Sequence, residues 1–270
     1  MDFWNIILLS IIQGLSEFLP VSSSGHLILA PLIFNFEDQG LALDAIMHLG
    51  TLLAILIYFR KDLFEIFSSI FQKEADPKIR RLAWNIVYAS IPAGVAGLLL
   101  ADFIEHQLRS HVFVAGNLIF WSLVFLVADR RAWRKQTDKV SIYDLSFGQV
   151  LFVGLAQAMA LLPGTSRSGV TIAAGLTHNL SYKDAARFSF LLGTPIIFAA
   201  GMYQLAKFLA LPEDHFNYDS TQLMMSFGVV FLVGYASIQL LFKIVAKAGL
   251  LPFIIYRLIM ATAILVFYPS

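Results

Sequence analysis

The hydrocarbon core of a bilayer needs about 20 consecutive apolar residues from each helix that crosses it. This chain has six such stretches, at about 42–59, 83–101, 112–129, 188–208, 222–242 and 250–268. Two further apolar stretches, about 3–33 and 147–176, are each broken in the middle by a short polar motif. The first break is Pro20-Val21-Ser22-Ser23-Ser24-Gly25-His26, and the second is Pro163-Gly164-Thr165-Ser166-Arg167-Ser168-Gly169-Val170-Thr171. Irregular backbone at membrane depth is tolerated only where protein or a water-filled cavity covers it. Each half of a broken stretch is too short to span, so each reads as half of a re-entrant hairpin, two short helices entering and leaving on one side. The competing reading is an ordinary span kinked by proline. The expected fold is an all-α integral membrane protein with six transmembrane helices plus two re-entrant helical hairpins. It forms a single membrane domain over residues 1–270. Composition agrees, with 58% hydrophobic and 14% charged residues, against roughly 25% charge in soluble domains. The absence of cysteine excludes disulfides, thiolate metal sites and cysteine nucleophiles. A net charge of +1 without a basic patch gives no reason to expect nucleic acid. Met1-Asp2-Phe3-Trp4 has no cationic start, so no cleaved signal peptide is expected.

Loop charges orient the spans. Arg60, Lys61, Lys73, Lys78, Arg80 and Arg81 lie between the first two spans, and Arg130, Arg131, Arg134, Lys135 and Lys139 follow the third. Lys183 and Arg187 follow the second break, and Lys243 and Lys247 follow the fifth span. All four groups fall on the cytoplasmic face if both broken stretches return to the side they came from. Both termini are then outside, with the first break entering from outside and the second from the cytoplasm. The halves also echo each other. Gln13 precedes Ser22 by the same nine residues that separate Gln157 from Ser166. Leu49-Gly50-Thr51 recurs as Leu192-Gly193-Thr194, and Tyr88-Ala89-Ser90-Ile91 as Tyr235-Ala236-Ser237-Ile238. Three spans per half make the repeats, about 1–130 and 140–270, opposite in orientation. Such an inverted-topology repeat places a shared site near the midplane.

The breaks hold the candidate chemistry. Gln13 and Glu17 share a helix face at i, i+4. A carboxylate in an apolar stretch needs a cation, a proton or a donor, so Glu17 reads as a divalent-metal ligand, a general base or an interfacial residue. Ser22, Ser23 and Ser24 with Gly25 expose hydroxyls and backbone N–H groups, which makes Ser22 and Ser24 candidate phosphate binders, and a helix starting there adds positive dipole. Either Ser23 or Ser24 attacks with His26 as base, His26 attacks itself, or the run is only capping and packing. The planar fork of Arg167 suits phosphate, with Ser166, Ser168 and Thr171 as neutral donors; its structural alternative is a buried ion pair with Glu17 or Asp44. Asp44 and His48, also i, i+4, read as lining the site entrance or as interfacial. Arg257, inside the last span, reads as a phosphate contact or a structural pair.

These residues resemble a known family. The segment from Gln13 to His26 is similar to the (E/Q)xxxE motif and serine-rich run of undecaprenyl-diphosphate phosphatases of the bacitracin-resistance type. Pro163 to Thr171 resembles that family's PGxSRSxxT motif, and Asp44 to Leu53 and Leu251 to Arg257 also look like it. The resemblance implies an enzyme of the bacterial plasma (inner) membrane that hydrolyses undecaprenyl diphosphate to undecaprenyl phosphate. It recycles the carrier for peptidoglycan synthesis, works at a site open to the outer side, and needs a divalent cation, Mg²⁺ or Ca²⁺. It also implies catalytic roles for Glu17, Ser23, His26 and Arg167, phosphate binding by Ser166, Arg167, Ser168 and Thr171, and a metal at Glu17. Gln13 stands in the E/Q slot, so no second carboxylate is available there and Glu17 carries more weight. A homodimer is compatible with the chain.

Attack by Ser23 assisted by His26 is the favoured sequence-level mechanism. A transporter or flippase for a prenyl-phosphate lipid is the alternative, because inverted repeats and discontinuous helices also mark transporters. The acid-phosphatase-like membrane phosphatases fail on spacing: six residues after Arg167 stands Ala173 rather than histidine.

Overall fold

The computed structural model describes residues 2–36, 40–134, 139–210 and 218–268, apart from the side chain of Glu105. The described chain is helical, with a single isolated bridge between Val140 and Leu180. The first broken stretch forms α1 (Phe3–Ser16) and α2 (Ser23–Phe34), and the second forms α7 (Phe147–Met159) and α8 (Arg167–Thr177). Between them lie α3 (Gly40–Tyr58), α4 (Arg60–Phe71), α5 (Pro77–Gln107) and α6 (His111–Arg134). After them come α9 (Tyr182–Leu209), α10 (Ser220–Ala248) and α11 (Leu251–Phe267).

Five of these, α3, α5, α6, α9 and α10, are long and apolar enough to cross a membrane. The sixth expected span, α11, is apolar but has 17 residues, about 26 Å at 1.5 Å per residue. The segment read from sequence as a loop over 60–82 contains α4 and the start of α5. Its Phe64, Phe67 and Phe71, spaced along one face, are all strongly exposed, which marks an amphipathic helix rather than a loop.

The helix ends follow local chemistry. Asp76 caps α5 by accepting from Lys78 N at 2.8 Å, with Pro77 in the first turn, where its missing N–H costs nothing. Ser146 with Gln149 and Asp219 with Gln222 make capping boxes for α7 and α10. Ser181 accepts from Asp184 N to cap α9. Both broken stretches fold back on themselves, α1 on α2 and α7 on α8. In addition α1 lies along α10, α7 along α5, α3 against α9 and α10, and α11 against α6.

The innermost element is α8. Every residue from Ser168 to Leu176 is buried, as expected of a helix covered on all sides. A side chain at Gly169 would meet the Phe125 ring 2.6 Å from its Cζ and Pro20 at 3.2 Å. That glycine therefore lets α8 sit against both α6 and the first break. Large apolar side chains face outward elsewhere, among them Leu98, Leu99, Met224 and Phe267. An all-helical body with such an apolar exterior is a multi-pass membrane protein.

Candidate active site

The two breaks use one local solution. Ser22 and Ser166 are the N-caps of α2 and α8, and their hydroxyls accept from Gly25 N at 3.3 Å and Gly169 N at 3.2 Å. Both have positive φ, 80° and 74°, which costs a non-glycine residue about 1–3 kcal/mol and persists only when the surroundings enforce it. The next residue starts each helix, Ser23 in one and Arg167 in the other. Equivalent turns thus present a hydroxyl from the first break and a guanidinium from the second.

These two groups meet on Glu17. Arg167 Nη2 donates to Glu17 Oε1 at 3.0 Å. Ser23 Oγ donates to Oε2 of the same carboxylate at 2.8 Å, and Gln13 Nε2 donates to Oε2 at 3.3 Å. The ion pair is nearly buried, its side chains 11% and 8% exposed. The guanidinium rests where Gly193 of α9 leaves room: a Cβ there would lie 2.7 Å from Arg167 Cζ. The Leu192-Gly193-Thr194 segment, noticed in sequence only as part of a repeat, therefore has a local task beside the site. Both alternatives for Arg167 are compatible with this geometry. It pairs with Glu17, and it also lines a cavity of about 350 Å³.

Glu17, Ser23, Ser24, Ser166, Arg167, Asp44 and His48 all line that cavity. Gln13 reaches it through Glu17. The other candidates stand behind the wall. Ser22 caps α2. Ser168 Oγ donates to Leu19 O at 3.2 Å and so ties the second break to the first. Thr171 Oγ1 bonds Ser189 Oγ at 2.6 Å. His26 has both ring nitrogens engaged, Nδ1 with Ser22 O and Nε2 with Tyr256 Oη, each at 2.7 Å. A carbonyl only accepts, so Nδ1 carries the hydrogen and Nε2 of the neutral ring accepts from Tyr256. The hydrogen-bond partner of Ser23 is thus Glu17.

Arg257 is a fastener. Fully buried, it donates from Nη2 to Gly164 O at 2.9 Å and Leu118 O at 3.2 Å, and from Nη1 to Thr165 O at 3.2 Å. Its Nε donates to Ser122 Oγ at 3.0 Å, and the guanidinium lies 4.9 Å from the Phe125 ring centroid. Asn117 helps, donating to Pro163 O and Thr165 Oγ1, each at 2.8 Å. Sequence reasoning passed over Asn117, although an amide within the apolar run 112–129 is a signal of its own. It also passed over Gln157 as a site residue. That side chain is buried, lines the cavity, and is the counterpart of Gln13.

A divalent cation has a limited donor set here. Among the described residues no group of three or more His, Cys, Asp or Glu could hold one, so an all-protein cage is absent from them. The Glu17 carboxylate and the unpartnered, buried Oε1 of Gln13 are nevertheless hard oxygens next to each other. One carboxylate with substrate phosphates is an ordinary Mg²⁺ arrangement, so the residues fit a cation held jointly with substrate.

The chain matches known proteins along its length. A family model described as bacitracin resistance protein BacA matches residues 6–263. Undecaprenyl-diphosphatase 1 of Pseudoalteromonas translucida (strain TAC 125) is 43% identical over 270 residues, covering 99% of each chain. Undecaprenyl-diphosphatase 2 of Stutzerimonas stutzeri (strain A1501) is 45% identical over 281 residues, again 99% of each. An undecaprenyl-diphosphatase of Hahella chejuensis (strain KCTC 2396) is 39% identical over 269 residues, 98% of each.

Proposed function

The chain belongs to the bacitracin resistance protein BacA family, and from that membership we propose that it hydrolyses undecaprenyl diphosphate to undecaprenyl phosphate and inorganic phosphate. The reaction returns the lipid carrier to peptidoglycan synthesis and confers bacitracin resistance. The observation that carries this reading is the chain of contacts Ser23–Glu17–Arg167 on a cavity wall: a carboxylate that accepts from a hydroxyl at 2.8 Å and from a guanidinium at 3.0 Å.

Each group has a task. Arg167 binds the diphosphate oxygens and neutralises charge that develops in transfer. Engaging phosphate loosens its hold on Glu17, which leaves the carboxylate available as a base. Ser23 Oγ attacks the terminal phosphorus, its proton passes to Glu17, and undecaprenyl phosphate departs. Glu17 hands that proton to the departing undecaprenyl phosphate. Water then cleaves the phosphoserine, and Glu17 takes the water proton and returns it to Ser23 Oγ, releasing inorganic phosphate and restoring Ser23. His26, held by Ser22 and Tyr256, fixes the start of α2. Mg²⁺ or Ca²⁺ held by Glu17, Gln13 Oε1 and phosphate oxygens would supply further charge neutralisation.

The prenyl tail needs an apolar exit. A second cavity of about 510 Å³ adjoins the first, sharing Ala93, Leu161 and Ile196. Its walls carry Gly94, Gly97, Leu98 and Ala199 of α5 and α9, small or apolar residues suited to a polyprenyl chain, alongside the polar Asp44, Arg109, Gln204 and Lys207.

The architecture we propose is six transmembrane helices and two re-entrant hairpins, α1–α2 and α7–α8, in inverted repeats. Exchanged packing supports it. Helix α1 of the first half lies on α10 of the second, while α7 of the second lies on α5 of the first. With the basic loops inside, both termini and the site mouth face outward from the plasma membrane.

The test is phosphate release from undecaprenyl diphosphate by purified protein. Ser23→Ala and Arg167→Ala should each lose most activity; wild-type release by Arg167→Ala sinks the reading. A carrier that moves prenyl phosphate without hydrolysis is the second reading, favoured by the paired broken helices. Reconstituted vesicles that translocate undecaprenyl phosphate but release no phosphate from the diphosphate would support it.

A further inference from the structure

Gln157 lies in the last turns of α7, 1% exposed. Neither Nε2 nor Oε1 of its amide has a hydrogen-bond partner. A buried amide left this way destabilises the fold, and native proteins rarely keep one without a reason. Gln157 is one of the residues lining the cavity with Glu17, Ser23 and Arg167. Its counterpart Gln13 has a local partner, since its Nε2 donates to Glu17, four residues along the chain. Four residues after Gln157 stands Leu161, whose side chain has no acceptor. The hairpin that holds Arg167 thus carries, on a cavity-lining residue, a buried amide that its own neighbours leave unsatisfied.

We infer that Gln157 is a substrate-contact residue: its Nε2 donates to an oxygen of the diphosphate that Arg167 binds, and its Oε1 accepts from water beside that group. This rests on the phosphatase reading and adds a contact to it. A neutral amide suits the position. It adds a directed donor without a second cation, so phosphate is oriented but product is not held too tightly to leave. The two glutamines then divide the work, with Gln13 orienting the carboxylate and Gln157 orienting the phosphate.

The test compares wild type with Gln157→Leu, Gln157→Asn and Gln157→Glu. It measures phosphate release from undecaprenyl diphosphate in detergent, binding of inorganic diphosphate by calorimetry, and Tm. A hydrogen bond to a charged phosphate oxygen makes the expected loss in kcat/KM for Gln157→Leu about 10- to 100-fold. Inorganic diphosphate should bind several-fold more weakly, while Tm holds or rises because the unpartnered amide is gone. Gln157→Asn should recover part of the loss, and Gln157→Glu should raise KM more steeply as pH increases. A purely structural role predicts a lower Tm with unchanged diphosphate binding, and that result overturns the inference. So does wild-type kcat/KM in Gln157→Leu. If wild-type protein releases no phosphate, the enzymatic reading fails separately, and equal diphosphate binding by wild type and Gln157→Leu still refutes the contact.

Discussion

Gly193→Ala tests the idea that the second break works by holding one guanidinium in one place. The new methyl would stand 2.7 Å from Arg167 Cζ, whereas non-bonded carbons rest about 3.5–4.0 Å apart. The guanidinium must therefore retreat by about 1 Å. The Nη2 to Glu17 Oε1 separation, now 3.0 Å, then stretches beyond hydrogen-bond range. A displacement of that size at a reacting centre costs about 10²-fold in rate, or about 2.7 kcal/mol of barrier. Stability should change little, because alanine in a helix interior is favoured over glycine by about 0.5–1 kcal/mol, which offsets part of the weakened ion pair. The assay is kcat/KM for phosphate release together with Tm in detergent, in wild type, Gly193→Ala, Arg167→Ala and the double variant. If the methyl acts through Arg167, it has no further effect once that side chain is gone. Activity within threefold of wild type, or fully additive losses in the double variant, would refute the reasoning.

Other expectations follow from the same geometry. Ser23→Ala should reduce kcat by about 10³-fold or more, while Ser24→Ala, whose hydroxyl lies 3.3 Å from that of Ser22, should stay within about tenfold; rates for the two variants decide. Glu17→Gln keeps the shape of the side chain but removes its capacity to take a proton, so single-turnover assays should show a slow chemical step with substrate still bound. Arg257→Lys retains a charge but loses the fork that grips Gly164, Thr165 and Leu118. It should lower Tm and cut activity at least tenfold, since the loop carrying Ser166 is released. Chelation should abolish activity and added Mg²⁺ or Ca²⁺ should restore it; full activity after thorough chelation would remove the cation from the scheme.

Much of the fold is legible in the sequence. Apolar run length marks the spans because the bilayer sets a minimum length for a helix. The breaks stand out because hydroxyls and an arginine inside apolar sequence demand partners. The amphipathic α4 was less legible, since its face becomes visible only at helical spacing within a charged segment. Partnership was not legible at all. His26 stands three residues from Ser23, close enough in sequence to be expected as its base, yet the helical turn carries its ring to Tyr256, while Glu17 returns across the break to meet the hydroxyl.

The sequence by itself determined that two polar breaks lie in a helical membrane protein and which residue types they offer, because those follow from local composition, spacing and the cost of burying polar groups. Only the tertiary structure decided which of those residues share a cavity wall. Arg167 and Glu17 are 150 residues apart, and Arg257 reaches the second break from 92 residues beyond Thr165. Such pairings arise when helices distant in the chain pack against one another, and no local propensity encodes them.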